Sequence, residues 1–478
     1  MFRLHELLAA TLSGSLASAA LATDFAGTWT GTVTAPNARA ALGFEFVKAG
    51  DGLRARMFMP DMFVYGVDIG PATIVGDTFT FEPLDIRLTL AGETLAGTFA
   101  PARLPVKLAR GGTFTKEPPS PVVTEGPSPV WTRALGAQVW ASPAVRDGCV
   151  YVGAVDGRFH AVRARDGAEL WTWSGPHALY GEACVDADAL YFVDDAGELA
   201  SVKSADGSLR WRFELHDATL ALGARPANET FNRRTPLPVI DDGVLYVGST
   251  DGGLYAIDAR TGKKLWRHDA RARIYAGIAL RGDELVAACY DGTILRLDRR
   301  TLRESARRKL PGACVSTPVL AGDAVVVGCR DYMLYGLDAA SSAIAWRDSY
   351  WFSWVESVPR FVDGTLYIGG SDFRRVSAVV PADGRMLWST DVRGLTWGTP
   401  AVTATTVFAG TSAQRGALIE HEGGLVALDR KSGAVKWRRV DPLLDGAERA
   451  GYIGSLVLAD EHVIGVTFDG VMSAFPVR

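Results

Sequence analysis

One feature constrains this chain more than any other: a tryptophan that returns at near-regular intervals, at Trp131, Trp171, Trp211, Trp266, Trp346, Trp388 and Trp437. The first two steps are forty residues each. The step from Trp266 to Trp346 is eighty, with Ala306 midway where a tryptophan is missing. The other intervals, 55, 42 and 49, read as the same unit carrying insertions. A period of this length built from short alternating strands belongs to propeller blades or solenoid coils. In the first unit SPAV, VYVGAV, FHAVRA and ELWTW are four such runs, separated by Asp147-Gly148, Asp156-Gly157 and Asp166-Gly167. Asp-Gly pairs favour tight hairpins because both central residues need positive φ. Each unit is therefore a four-stranded antiparallel meander, which is a blade.

Eight pairs of first and second strands can be counted, near Ser142, Ala183, Pro238, Ile278, Pro318, Pro359, Pro400 and Ser455. The last unit ends FDGVMSAFPVR and has no fourth strand, while PVWTRAL at 129–135 is a fourth strand with no blade before it. The two halves complete each other, which predicts an all-β, eight-bladed ring over 129–478 closed by its own N-terminal strand. Ahead of it, residues 24–115 alternate in the strand period (GTWTGTV, LGFEFV, LRARMFM, DTFTFEP, TLAGTFA) with turn signals between the runs. They predict a small antiparallel barrel or sandwich. Five prolines between 118 and 129 make 116–128 an extended linker.

At 478 residues with 48% hydrophobic and 22% charged, the chain has ample material for these cores. A net charge of −4 gives no basic field for nucleic acid. Residues 1–22 read as a signal peptide: Arg3, an apolar run over 7–21, then the A-x-A site Ala20-Leu21-Ala22, with a buried helix as the other reading. An exported product is expected, periplasmic or secreted, with neither a membrane span nor a lipid anchor. The five cysteines at 149, 184, 289, 314 and 329 are odd in number and dictate no pairing. No CxxCH, HExxH, GxSxG, P-loop or GxGxxG motif occurs.

In Ala256–Trp266, AIDARTGKKLW, the run Ala-x-Asp-x-x-Thr-Gly-x-x-x-Trp resembles the tryptophan-docking repeat of pyrroloquinoline-quinone-like (PQQ-like) propellers, a likeness extending over 129–478. Seven of the eight blades keep the tryptophan. The resemblance implies one of two activities. Some members are quinone-dependent alcohol or sugar dehydrogenases with adjacent cysteines, a tryptophan and calcium at the cofactor. Others are non-catalytic scaffolds, such as a lipoprotein subunit of the outer-membrane barrel-assembly machinery. This chain has no adjacent cysteines and no lipid-anchor cysteine after the apolar run. The front domain loosely resembles a small β domain found ahead of catalytic domains in some secreted bacterial hydrolases, a likeness that carries no catalytic residues.

The first strands line the channel, and the aligned positions at its mouth are Trp140, Tyr180, Thr235, Tyr275, Val315, Glu356, Trp397 and Ile453. Trp140, Tyr180, Tyr275 and Trp397, with Glu182 and Glu356, either stack a flat ligand such as PQQ with calcium, or plug the channel. Trp140 and Trp397 would equally serve a sugar. Asp186, Asp188, Asp194 and Asp195 read as turn residues rather than metal ligands, and His421, between Glu420 and Glu422, as part of a solvated loop. The long connections at 216–234, 350–354 and 412–424 fall on one face, which is expected to bind a protein or small-molecule partner. Arg233, Arg234, Trp351 and Trp354 are its anchor candidates. The expected function is non-catalytic binding, with no catalytic residue, metal or cofactor; a PQQ-dependent dehydrogenase is the alternative.

Overall fold

The computed structural model describes residues 23–35, 38–99, 103–115, 124–216, 234–351, 353–417 and 419–477. The expected signal peptide, Arg233 and linker residues 116–123 lie outside them, as do residues 217–233 of the inserted connection. The chain divides into two compact units, one built on residues 23–115 and the other beginning with the strand at Thr124.

The first unit is a nine-stranded antiparallel meander: β1 (Gly27–Ala35), β2 (Ala38–Ala49), β3 (Gly52–Met59), β4 (Val64–Pro71), β5 (Thr73–Val75), β6 (Thr78–Phe81), β7 (Ile86–Ala91), β8 (Thr94–Phe99) and β9 (Leu104–Arg110). Because β1 pairs with both β2 and β9, the sheet curls round until only its edge strands β4 and β5 lack pairing with each other, a nearly closed barrel. Strict alternation drives the curl. In β3, Leu53, Ala55, Met57 and Met59 face inward while Arg54 and Arg56 face out. Trp29 is fully buried, worth about 4–6 kcal/mol of removed surface. Its indole N–H donates to Phe25 O at 2.8 Å, and the Arg110 guanidinium lies 4.2 Å over the ring. Arg110 also donates to Ala26 O and Asp24 O, fastening the last strand to the entry of the first. Gly31 has no room for a side chain: a Cβ there would meet Lys107 O at 2.1 Å.

The second unit is the eight-bladed propeller. Blades 1 to 7 span 144–174, 184–214, 239–269, 278–309, 319–349, 360–391 and 401–441, each with strands a to d in chain order. Blade 8 takes strands a to c from Val457–Ala459, His462–Val466 and Val471–Pro476, and strand d from Trp131–Ala134. Closure is thus between the two ends of the repeat. Ser142 and Ser455 seal the same seam near the channel, with their hydroxyls 2.9 Å apart.

Five of the tryptophans on strand d reach the c–d turn of the next blade. The indole N–H of Trp131, Trp171, Trp211, Trp346 and Trp388 donates to Ala164, Ser204, Ala259, Pro381 and Arg430 carbonyls at 2.7–3.1 Å. The same rings lie flat against Gly167, Gly207, Gly262, Gly384 and Gly433, where any Cβ would fall within about 2.6 Å of the indole. These glycines are required twice over, since each also has positive φ. The turn itself is set by an acid: Asp258 Oδ1 accepts from both the N–H and the hydroxyl of Thr261 at 2.7 and 2.6 Å.

Three places break the pattern. Trp266 of blade 3 faces a turn of blade 4 that carries Leu302, with φ of 58°, where those five turns have glycine. Where blade 4 has Ala306, the facing turn of blade 5 carries Ser342 instead of glycine, and Arg296 from strand c fills the gap. Arg296 donates to Ala340 O at 2.9 Å and Ser342 Oγ at 3.2 Å, and forks onto Glu284 at 2.6 and 2.8 Å. Trp437 of blade 7 faces blade 8, whose strands c and d belong to opposite chain ends and so have no turn between them. There the segment Thr124–Glu125 runs parallel to strand d of blade 7, and Gly126 takes the turn glycine's place, with a virtual Cβ 2.6 Å from the Trp437 ring. Residues read as linker from the sequence are thus part of the ring.

Cys314 and Cys329 form a disulfide, while Cys149, Cys184 and Cys289 are free thiols. Among the described residues no helix is long and apolar enough to cross a membrane.

Candidate functional site

The mouth of the channel is assembled from the connections into strand a and from the b–c turns. Residues of non-neighbouring blades can meet only at the ring's centre, and here they do. Arg234, entering blade 3, pairs with Glu356, entering blade 6, at 3.1 Å. Arg330, on the b–c turn of blade 5, takes the other oxygen of Glu356 at 2.7 Å. Glu356 therefore sits between two guanidiniums. Its enclosure alone would raise its pKa, but the two cations outweigh that and hold it below the usual carboxylate value. The Glu356 N–H donates to Ser371 Oγ at 2.8 Å, which fixes the backbone beneath the carboxylate.

The aromatic rings of the mouth stack on cations. Arg330 lies 4.4 Å over Trp354 and 5.6 Å over Tyr290, and Tyr290 meets Tyr275 edge-on at 5.2 Å. Arg449, from the connection into blade 8, lies 4.6 Å over Trp397 and 5.9 Å from Trp140. Contacts of this kind contribute about 0.5–2 kcal/mol each, more where water is excluded. Trp140 also packs edge-on against Phe468 at 5.3 Å, and the Trp397 indole donates to Asp372 Oδ1 at 2.9 Å.

Two acids at the centre resist ionisation. Burial pushes Glu182 up to about 7, against the pull of Arg360 on the opposite blade 6. Enclosure and then the neighbouring Glu356 charge push Asp372 up to about 6, with the Trp397 N–H and Arg449 pulling the other way. His421 goes down to about 4, through burial and then the charges of Arg374 and Arg449, and its Nδ1 is buried with no hydrogen-bond partner among the described residues. This histidine is partly buried beside the mouth rather than in a solvated loop.

The sequence candidates divide accordingly. Arginines draw these candidates into two clusters, Arg330 gathering Glu356, Arg234 and Trp354 with Tyr275 behind Tyr290, and Arg449 gathering Trp140 and Trp397. Tyr180 is partly buried at its aligned position, and Glu182 lies two residues deeper. Trp351 is only 6% exposed, with positive φ, and Tyr350 beside it is fully buried. Residues 350–351 fold inward, where Arg375 lies 4.0 Å over the Tyr350 ring, so little of the Trp351 ring is on the surface where the sequence offered it as an anchor. Arg330, Asp372 and Arg449 were not singled out from the sequence. The aligned b–c position that holds Tyr290, Arg330 and Asp372 was the signal that would have found two of them.

Comparison with known proteins extends these observations. The family model for "Outer membrane protein assembly factor BamB" matches residues 124–303, 195–351 and 351–474, more than half of the chain. The protein of that name from Yersinia pestis is 26% identical over 183 residues, covering 34% of this chain and 43% of its own length. The match thus spans less than half of that relative. Among solved structures, BamB from Moraxella catarrhalis aligns with a TM-score of 0.50 at 15% identity, covering 71% of this chain and 94% of its own. Quinohemoprotein alcohol dehydrogenase from Comamonas testosteroni aligns at 0.56 and 14% identity, covering 73% and 76%. At such identities the two structures show a common fold alone. With its repeat, its closed ring of eight blades and a family match running from 124 to 474, the chain belongs to the BamB family of PQQ-like β-propellers.

Proposed function

We propose that this protein is an exported, non-catalytic binding propeller of the cell envelope, whose loop-rich face receives a protein partner. One observation carries the reading: Glu356, Trp354 and Trp397 at the mouth are already engaged by the protein's own arginines. Glu356 is bracketed by Arg234 and Arg330, Trp354 is covered by Arg330, and Trp397 by Arg449. A flat ligand would have to displace these cations and leave Glu356 unpaired in an enclosed site, at a cost of several kcal/mol. Relatives named for outer membrane protein assembly support a protein as the partner.

The second reading, a quinone-dependent dehydrogenase, rests on the shared fold. Calcium takes six to eight oxygens. Among the described residues no three His, Cys, Asp or Glu side chains gather into a group that could hold a metal ion. That absence supports reading the mouth as one that takes no calcium–quinone pair.

The test is a titration of the purified protein with pyrroloquinoline quinone plus calcium, followed by melting temperature and dye-linked alcohol oxidation. No saturable shift and no turnover are expected. A stabilisation near 2.7 kcal/mol at a hundredfold excess over Kd, with turnover, would establish the dehydrogenase instead.

A further inference from the structure

Blades 3 and 4 carry a strong local charge. Residues 260–309 hold fourteen lysines and arginines against six aspartates and glutamates, in a chain of net charge −4. Arg260, Lys263 and Lys264 are exposed on the c–d turn of blade 3, and Arg300 and Arg303 on that of blade 4. Arg307, Arg308 and Lys309 continue the strip along the outer strand of blade 4, Glu304–Lys309. The acids there are outnumbered: Glu304 alone serves Arg307 at 2.8 Å, His268 at 3.0 Å and Arg271 at 3.2 Å. A strip of one sign attracts its opposite and raises its local concentration.

That outer strand is also an open edge, being the last in its sheet. Open edges are templates for another strand, and this ring shows how one of them is filled. On blade 7 the extended pair Thr124–Glu125 runs parallel to the outer strand, Glu125 sits opposite Arg438, and the Gly126 N–H donates to Arg438 O at 2.9 Å. Arg438 follows Trp437 and pairs with Val426. In blade 4, Arg307 follows Ala306 and pairs with Leu295. The two arginines hold equivalent places, so the main-chain groups of Arg307 face outward as those of Arg438 do.

We propose that the outer edge of blade 4 docks an extended acidic segment of another polypeptide, added parallel to Glu304–Lys309 with an acidic side chain beside Arg307. Main-chain hydrogen bonds supply the grip and the flanking cations the selection. The proposal is independent of the mouth and of what binds there.

The test uses the whole protein and a labelled, blocked octapeptide of alternating Thr and Glu, repeating the pair at Thr124–Glu125, read by fluorescence anisotropy at low ionic strength. Saturable binding is expected, with none for the Thr-Lys counterpart. Raising the salt to 0.3 M should weaken it by about tenfold or more, and so should the pair Arg303→Glu and Arg308→Glu. Arg307→Pro removes the outward N–H at an edge position that tolerates proline, together with the guanidinium bonds to Glu304 and Ala270 O, and it should weaken binding about tenfold beyond Arg307→Ala, which loses the guanidinium alone. Binding by a folded Arg307→Pro protein as tight as that by Arg307→Ala refutes strand addition and leaves charge alone. If that variant fails to fold, the charge-reversed pair decides: undiminished binding overturns the proposal. So does binding to phosphatidylglycerol vesicles without binding to the peptide, which would make the strip a membrane-facing surface.

Discussion

Replacing Arg296 by alanine asks whether this side chain stands in for the tryptophan that blade 4 lacks. The change removes a forked pair to Glu284 and two bonds that cross to the turn of blade 5, at Ala340 O and Ser342 Oγ. The Arg296 side chain is 8% exposed and that of Glu284 23%. Stripping one partner from a buried pair costs about 3–5 kcal/mol, and the partial opening of Glu284 to water lowers this to about 2–4. For a ring of roughly 350 residues the unfolding entropy is about 0.7 kcal/mol/K, so a loss of about 3 kcal/mol lowers Tm by about 4 °C. Urea unfolding and thermal melts of parent and variant measure both figures. Adding Ala306→Trp and Ser342→Gly to the same variant rebuilds the wedge used by the other blades, and should restore most of the loss. A variant within about 0.5 kcal/mol of the parent would refute the role assigned to Arg296.

Three further outcomes follow from particular contacts. Gly126→Val puts carbon into the Trp437 ring and should destabilise the ring by about 1–3 kcal/mol, whereas Gly136→Val, with open space at its Cβ but positive φ, isolates the backbone penalty. His421 is held near 4 when folded, against 6.5 when unfolded; its contribution is complete above pH 6.5 and is lost as pH falls through 4, by about 3 kcal/mol in all. His421→Gln should flatten that part of a stability–pH curve, while Glu182→Gln, replacing an acid whose raised pKa costs stability as pH rises through about 7, should stabilise the protein at pH 8. Trp351→Ala should behave as a core truncation, losing about 3–5 kcal/mol in urea unfolding; a variant that keeps its stability but loses partner capture would return Trp351 to the binding surface.

The blade count and the closing strand were legible because both depend on period and alternation, which side-chain chemistry writes directly into sequence. The barrel was legible in outline, but VYGVDIGP at 64–71 did not read as a strand because Gly66 and Gly70 interrupt its alternation. The repair at Ala306 was not legible: a tryptophan's absence is visible, but Arg296 lies on a different strand and reaches its place only through pairing with Ala306. The disulfide was hidden for a similar reason, since Cys314 precedes strand a of blade 5 and Cys329 follows strand b, so only the fold brings them together. At the mouth, alignment identified the right positions but not their company. The inward turn of Trp351 and the arginines over the indoles depend on how connections pack, and no period governs that.

The way the ring closes has a consequence for its biogenesis. Trp131–Ala134 can pair only with Val471–Pro476, so the earliest blade strand waits for nearly the last. At translation rates of about 5–20 residues per second, that wait is on the order of half a minute. Seven blades can stack meanwhile, but the nascent ring stays an open arc with a sticky edge at each end. Sealing is therefore the final act of its folding.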